Sequence, residues 1–338
     1  MKTLMDFRAA AGRALAVGLI LGILIPGAAY LVDRSAERAQ GAPAYVPTPA
    51  RGPAIPQDKG YLVREIAGGL YWVADGVYQA MFLVTGRGVI AVDAPPSLGK
   101  KYLQAIADVT SEPVTHVVYS HAHRDHIGAA NLFPKSATYI AHRATAEILA
   151  RAKDPARPVP TVTFANSYTL RVGNQTLMLD YKGANHEPGN IFIYAPRQKV
   201  LMLVDVIFPG WVPFAQLALS TDIPGFMEAH QQVLRYDFTT FIGGHLTRLG
   251  TRQDVEVALE YVNSVRFNAR RALQTVDFMG VAKETGFEDP FRLFDRYLDA
   301  VAKACADPII PKWRDRLGGV EAFTDSHCWV MQNSLRID

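Results

Sequence analysis

The stretch Val117-Val118-Tyr119-Ser120-His121-Ala122-His123-Arg124-Asp125-His126 opens as a buried strand and breaks into four potential metal ligands within six positions. Val117 to Tyr119 carry the β-branched and aromatic side chains that suit a pleated, half-buried surface. His121 and His123, two apart at a strand end, project the same way and can bite one ion, while Asp125 and His126 continue round the turn toward a second. A polar turn with solvated histidines is the competing reading, and it leaves three later residues unexplained. His186 sits in Gly183-Ala184-Asn185-His186-Glu187-Pro188-Gly189-Asn190, Asp205 closes Val200-Leu201-Met202-Leu203-Val204, and His245 follows Phe241-Ile242-Gly243-Gly244. Taken singly these would be ordinary loop residues; together, each comes where another strand-like run ends.

The order H-x-H-x-D-H, then His, Asp and His each on a separate loop, resembles the metallo-β-lactamase superfamily of metallohydrolases, over roughly residues 60–275. The resemblance implies an α/β fold, the αβ/βα sandwich in which two β-sheets are faced by helices, with a dinuclear zinc site in a groove along one edge. Carried over residue by residue, His121, His123 and His186 hold the first metal, Asp125, His126 and His245 the second, and Asp205 bridges the two. Asp93, ending the strand-like Val89-Ile90-Ala91-Val92, matches a position that supports the ligands from behind, a turn cap being the alternative. Asn190 and Gly128 fit motif positions beside ligands, with turn chemistry competing for the glycine. The other four of the nine histidines, His116, His142, His230 and His327, have no such context and read as surface or hydrogen-bonded core residues.

Two divalent ions sharing a water lower its pKa from ~15.7 toward neutrality, which provides a bridging hydroxide without a dedicated protein base. On this reading the hydroxide, oriented by Asp125, attacks an ester, lactone, thioester or amide. Neutral imidazoles and carboxylates suit two zinc ions, although ligand type alone leaves iron and manganese open. A bridging Asp205 makes the set resemble glyoxalase II and lactonase-like members more than the β-lactamases, which tend to place Cys or Ser there. Three residues on, Phe208 stands where many zinc β-lactamases carry a lysine that grips the drug's carboxylate, so antibiotic hydrolysis is the second reading, with Arg248 as a substitute anchor. Phe208, Pro209, Trp211, Pro213 and Phe214 suggest an apolar lip over the groove. A phosphodiesterase or sulfatase fits less well, and so does a non-hydrolytic metal protein. Redox members resembling flavodiiron proteins carry Glu where His123 stands.

Composition excludes a disordered chain and disfavours nucleic-acid binding. The 338 residues are 49% hydrophobic and 20% charged, enough to bury a full core. Lys plus Arg number 35 against 32 Asp plus Glu, too balanced for a protein that grips nucleic acid. Residues 14–32 run without a charge behind Lys2, Arg8 and Arg13, as in a signal peptide, with Gly27 and Ala29 as small residues for cleavage, or in an N-terminal membrane anchor. Both place the remainder outside the cytoplasm, periplasmic or secreted. Residues 33–59, with five prolines, read as a linker. Short β-branched and aromatic runs at 70–73, 77–84, 88–92, 115–119, 176–182, 191–194, 200–204 and 239–242 predict strands, and 98–109, 141–152, 224–234 and 251–275 predict helices. The divisions expected are therefore 1–32, 33–59, a catalytic domain at 60–275, and a C-terminal helical extension at 276–338. In that extension, one or two helices carry a stripe of Phe291, Phe294, Tyr297, Leu298 and Val301 read as core. Cys305 and Cys328, in an oxidising compartment, either close a disulfide or stay separately buried.

Overall fold

In the computed structural model the described residues are 46–338, so the apolar segment 14–32 lies outside them. Four strands run antiparallel in sequence, β1 (Leu62–Ala67), β2 (Leu70–Ala74), β3 (Gln79–Val84) and β4 (Val89–Val92). The sheet continues in parallel through β5 (Val114–Val118), β6 (Thr138–His142) and β7 (Val162–Phe164), giving seven strands in sequence order. A second sheet is ordered β12-β11-β10-β9-β8, from β8 (Ser167–Val172), β9 (Gln175–Asp180), β10 (Phe192–Ala195), β11 (Val200–Met202) and β12 (Thr240–Ile242), only its β11–β12 pair being parallel. Parallel pairs need crossover connections, and helices supply them: α1 (Lys100–Ala107), α2 (Arg124–Ile127), α3 (Arg143–Ala152) and α4 (Ile223–Val233).

Three apolar layers follow from this arrangement. Trp72, Met81, Val118, Leu177, Ile193 and Met202 fill the space between the sheets. Phe82, Tyr102, Val117 and Leu149 pack the outer face of the first sheet against its helices. The outer face of the second sheet meets α4, α5 (Arg252–Thr275), α7 (Pro290–Ala306), α8 (Ile310–Trp313) and α9 (Val320–Ile337) through Phe192, Leu201, Phe226, Tyr261, Val301 and Trp313, while α6 (Phe278–Thr285) packs on α7 through Phe278 and Tyr297. The sandwich is thus αβ/βα. Helix α5 starts where Thr251 and Asp254 cap each other reciprocally, and buries Val255, Ala258, Val262, Val265 and Ala269 at helical spacing.

Several local expectations are corrected. Residues 141–142 end strand β6 rather than opening a helix, because the His142 Nδ1 accepts the Ala144 N–H and caps α3. Strands β1, β6, β7 and β8 escape the pattern search: β1 carries Arg64 and Glu65 mid-strand, β7 has three residues, and β8 is mostly polar. The C-terminal region has four helical segments instead of one or two, broken at Gly286 and Gly319, both with positive φ. Its stripe divides: Val301 is buried, whereas Phe291 is 88% exposed and Phe294 43%. Of the stretch read as a linker, residues 46–59 join the folded body, where Ala50 is buried and its carbonyl accepts the Trp211 indole N–H at 2.7 Å. Among the described residues no helix is long and apolar enough to cross a membrane.

Cys305 and Cys328 form a disulfide that ties α7 to α9. The four histidines without motif context are structural. His116 contacts Thr115, and His142 stacks on Tyr181 with centroids 3.8 Å apart. His230 donates from Nδ1 to the Phe226 carbonyl. His327 donates from Nε2 to the Phe214 carbonyl and accepts the Tyr261 hydroxyl at Nδ1. Burial lowers both His230 and His327 to about 4.

Two stability predictions follow. A group with a depressed folded pKa binds more protons when unfolded, so stability is fully present above pH 6.5 and falls between 6.5 and 4, by roughly 3 kcal/mol per histidine. Denaturant titrations at pH 7.5 and pH 5 will show this, and equal midpoints would contradict it. Replacing both cysteines with alanine, which opens a loop with a sequence separation of 23, should cost about 3 kcal/mol in the same assay.

Candidate metal centre

The parallel strands β4, β5, β11 and β12 end at one edge of the two sheets, and their following loops carry Asp93, His121, Asp205 and His245. This is where open α/β sheets place ligands. Strand β5 stops at Val118, so His121 and His123 lie in the loop beyond it, and Asp125 and His126 on the one-turn helix α2. His186 lies in the β9–β10 connection, six residues past the end of β9. All seven predicted ligands converge, in two sets sharing Asp205: His121, His123, His186 and Asp205, then Asp125, His126, His245 and Asp205.

The donor geometry fits two cations. Ligands about 2.0–2.1 Å from one tetrahedral ion stand about 3.4 Å from each other. Here His186 Nε2 is 2.9 Å from His123 Nδ1, and Asp205 Oδ2 is 3.5 Å from His121 Nε2 and 3.3 Å from His186 Nε2. In the other set His126 Nε2 lies 3.1 Å from His245 Nε2, 3.5 Å from Asp125 Oδ2 and 3.0 Å from Asp205 Oδ2, and the other Asp205 oxygen is 2.8 Å from His245. His121 Nε2 and Asp205 Oδ1 are buried without a hydrogen-bond partner. Lone pairs aimed inward in this way suit a bound cation better than a hydrogen-bonded core.

Protonation states agree. Burial, reinforced by the neighbouring His126 and His186 rings, holds His121 well below the usual imidazole range, and burial takes His186 down to about 4. Burial opposes charge on Asp205 as well, but the rings of His126, His186 and His245 outweigh it and keep the carboxylate ionised. His121 and His186 are thus neutral beside an ionised carboxylate, the form that binds metal; at His126, by contrast, burial is outweighed by Asp205 and the ring is raised to about 9, so a metal binding there would displace its proton.

The supporting shell holds these groups in place. Asp93 accepts the Ser120 N–H at 2.7 Å, and the Ser120 hydroxyl meets His121 Nδ1 at 2.9 Å, leaving Nε2 to face inward. Burial raises Asp93 to about 6. Asn190 donates to Asn185 Oδ1 and to the Val204 carbonyl, and Asn185 Oδ1 accepts the His186 N–H, so one amide joins two ligand loops. Asp93 and Asp205 both have positive φ, 60° and 63°, a conformation that is rare outside functional turns. Gly244 is needed because a Cβ there would run into Val204 and the His126 ring, and Gly128 because it would meet the Arg124 carbonyl.

Two residues were not singled out by motif reasoning. Glu187 accepts the Ala122 N–H at 3.0 Å and places its other oxygen 3.6 Å from His123 Nε2, the ring nitrogen pointing away from the cluster. Its only signal is an acid beside a ligand histidine. Tyr78 directs its hydroxyl to Asp125 Oδ2 at 3.3 Å, against the rings of His126 and His245. Burial, then Asp125, pushes its pKa up to about 12. It reads simply as a strand residue, and only the pairing of residues 77–79 with the His245 loop brings it to the site.

The expected apolar lip is reduced. Phe208 stacks on His245, centroids 5.4 Å apart. Trp211 turns instead toward Gly318 and Ala50, and Phe214 packs on Phe323. Arg248 pairs with Asp254 at 2.8 Å.

An αβ/βα sandwich with two carboxylate-linked histidine sets at its edge defines a candidate dinuclear metal site. The metallo-beta-lactamase superfamily profile matches residues 74–245, and the chain belongs to that superfamily. It is 27% identical over 193 residues to the 2,4-dinitroanisole O-demethylase subunit alpha of Nocardioides sp. (strain JS1661), covering 56% of this chain and 58% of that one. To the metallo-beta-lactamase type 2 of Elizabethkingia meningoseptica it is 27% identical over 127 residues, 37% of this chain and 50% of that one. The chain thus spans about half the length of these curated relatives. The solved metallo-beta-lactamase from Pontibacter korlensis shares the fold, with a TM-score of 0.51 at 22% identity, covering 59% of this chain and 97% of its own.

Glu187→Gln keeps the acceptor for Ala122 and removes the charge behind His123. It should weaken metal binding about 10–100-fold with the melting temperature of the chelated protein unchanged. Competition with a chromophoric chelator measures this, and wild-type affinity would assign Glu187 a purely structural role.

Proposed function

We propose that the chain is an exported, zinc-dependent hydrolase of small-molecule esters, lactones, thioesters or amides. The observation that carries this reading is the complete seven-ligand cluster sharing one buried carboxylate. When bound, the two metals polarise the scissile group and bring the pKa of a shared water toward neutrality. Asp125 holds and orients the attacking water. The Tyr78 phenol, neutral at physiological pH, gives its hydrogen bond to Asp125 Oδ2 at 3.3 Å beside the second histidine set, and on substrate binding would turn it to the departing group as negative charge develops there. Phe208, buried and stacked on His245, keeps water from the back of that ring. The near balance of basic and acidic residues speaks against a nucleic-acid substrate. The uncharged run at 14–32 behind three basic residues supports export to the periplasm or beyond, as a cleaved leader or as an anchor.

The second reading is β-lactam hydrolysis, supported by several relatives named as metallo-beta-lactamases. Phe208 at the lysine position and an Arg248 engaged by Asp254 disfavour it. The relative named 2,4-dinitroanisole O-demethylase subunit alpha adds an aryl methyl ether to the compounds worth assaying.

The zinc-loaded chain should be assayed on lactone, thioester, simple ester, nitrocefin, phosphodiester, sulfate ester and 2,4-dinitroanisole. The expectation is about two metals per chain, with chelator-sensitive turnover of carboxylic esters or lactones that is lost in His123→Ala. Purified protein that takes up no metal would refute the hydrolase reading, and nitrocefin turnover alone would favour the second. Tyr78→Phe should lower kcat roughly 10–100-fold with KM little changed; unchanged kcat would remove Tyr78 from the leaving-group role.

A further inference from the structure

The turn that carries the first two ligands has no regular structure to hold it. Strand β5 ends at Val118 and α2 begins at Arg124, so His121, Ala122 and His123 lie between them, outside ladder and helix. Ligands two positions apart can face one cation only if the two peptide planes joining them are fixed, because planar peptides leave φ and ψ of the residue between them as the backbone's freedom. Both planes are held by charged side chains. Glu187 accepts the N–H of Ala122, in the plane shared with His121, at 3.0 Å. On the other side the Ala122 carbonyl, in the plane shared with His123, accepts the Arg157 Nη1 donor at 2.6 Å. An anion on the N–H and a cation on the C=O make both bonds charge-assisted, and such bonds are roughly twice as strong as neutral ones. Ala122 itself is buried.

Arg157 is pinned in its turn. Its Nε donates to Asp154 Oδ2 at 2.8 Å, the same oxygen pairs with Arg124 Nη2 at 2.9 Å, and Asp154 Oδ1 accepts the Ala156 N–H at 3.0 Å. The Arg157 and Asp154 side chains are only 12% and 9% exposed. The segment after α3 that carries them is fastened to the body, the Ala156 carbonyl accepting the Asn131 N–H and the Pro158 carbonyl the Tyr119 hydroxyl. A buried ion pair contributes little net stability on its own, so what distinguishes Arg157 is where the rest of its fork points. A planar guanidinium serves Asp154 and Ala122 from two edges at once, which the single ammonium of a lysine does not. We infer that Arg157 is a positioning residue for the first metal set: opposite Glu187 it fixes the angle between His121 and His123, and with it the affinity of His121, His123 and His186 for their cation. The inference rests on the metal-binding reading of the cluster. The second set has other supports, since Asp125 and His126 are carried by α2 and the His245 carbonyl is held by Gln79.

Each set can be read alone in the full chain, because His245→Ala leaves the first set its three histidines and His123→Ala leaves the second intact. Arg157→Lys keeps a cation beside Asp154 and loses the fork. In the His245→Ala chain it should weaken zinc about 10–100-fold, measured by competition with a chromophoric chelator. In the His123→Ala chain zinc affinity should stay within about threefold. Cobalt in place of zinc should show altered visible bands in the first background and unchanged bands in the second. The melting temperature of the metal-free proteins separates this from a loss of fold. Equal losses in both backgrounds, or a lower melting temperature with zinc affinity kept, would make Arg157 a general support and overturn the inference. A wild-type chain that takes up no zinc overturns the metal-binding reading together with it; uptake by the wild type, with first-set affinity unmoved by Arg157→Lys, overturns this inference alone.

Discussion

The Asp205 carboxylate is a charge buried at the meeting point of four histidines, one oxygen beside His121, His186 and His126 and the other beside His245. An ionised carboxylate in such a place is costly unless cations or donors surround it, and most of the local architecture serves to surround it. It sits three residues past the buried strand β11, with positive φ, so the chain must turn sharply there, and the Asn190 amide holds the carbonyl of the preceding Val204. On the other sheet the Gln79 side chain donates to the His245 and Arg248 carbonyls, and its backbone N–H to Gly244. The first sheet thus holds the last ligand of the second.

This placement depends on strand direction. Each of the pairs β4–β5 and β11–β12 is parallel, so the two sheets can deliver four loops to one edge. Antiparallel pairs would send alternate loops to opposite ends. Parallel pairing requires crossovers, and the helices that make them bury the outer faces of both sheets. The layered core is accordingly the means by which scattered ligands meet within hydrogen-bonding distance.

How much of this could be read in advance varied with the physics involved. Ligands next to buried strands were legible because apolar runs mark the strand and an abrupt cluster of His and Asp marks its end. The apolar spacing from Thr251 onward announced α5, whose start the structure shows as a reciprocal cap of Thr251 and Asp254. Strand β8, with alternating polar residues on an edge, gave no comparable signal. Phe291 and Val301 both fit one helical stripe, but spacing does not tell how far along an amphipathic helix the body reaches, and the structure leaves the Phe291 end exposed. Glu187 and Tyr78 were hidden because their roles depend on loops brought together from distant positions, Ala122 and Asp125.

The groove wall was the least legible part, and its backbone explains why. Gln216, Leu217, Ala218 and Leu219 all have φ between 54° and 59°, a left-handed turn without a glycine, which costs about 1–2 kcal/mol per residue. No local propensity predicts such a turn, so its stabilisation must come from tertiary contacts. Ser326 on α9 accepts the Gln216 N–H, His327 on α9 donates to the Phe214 carbonyl, and Leu217 is fully buried. Just beyond, the Thr221 N–H donates to the carbonyl of His186 itself. The strained turn therefore links α9 to a metal ligand. The C-terminal helices thus reach a loop of the candidate metal cluster as well as covering the second sheet, through residues more than a hundred positions from the histidine they support.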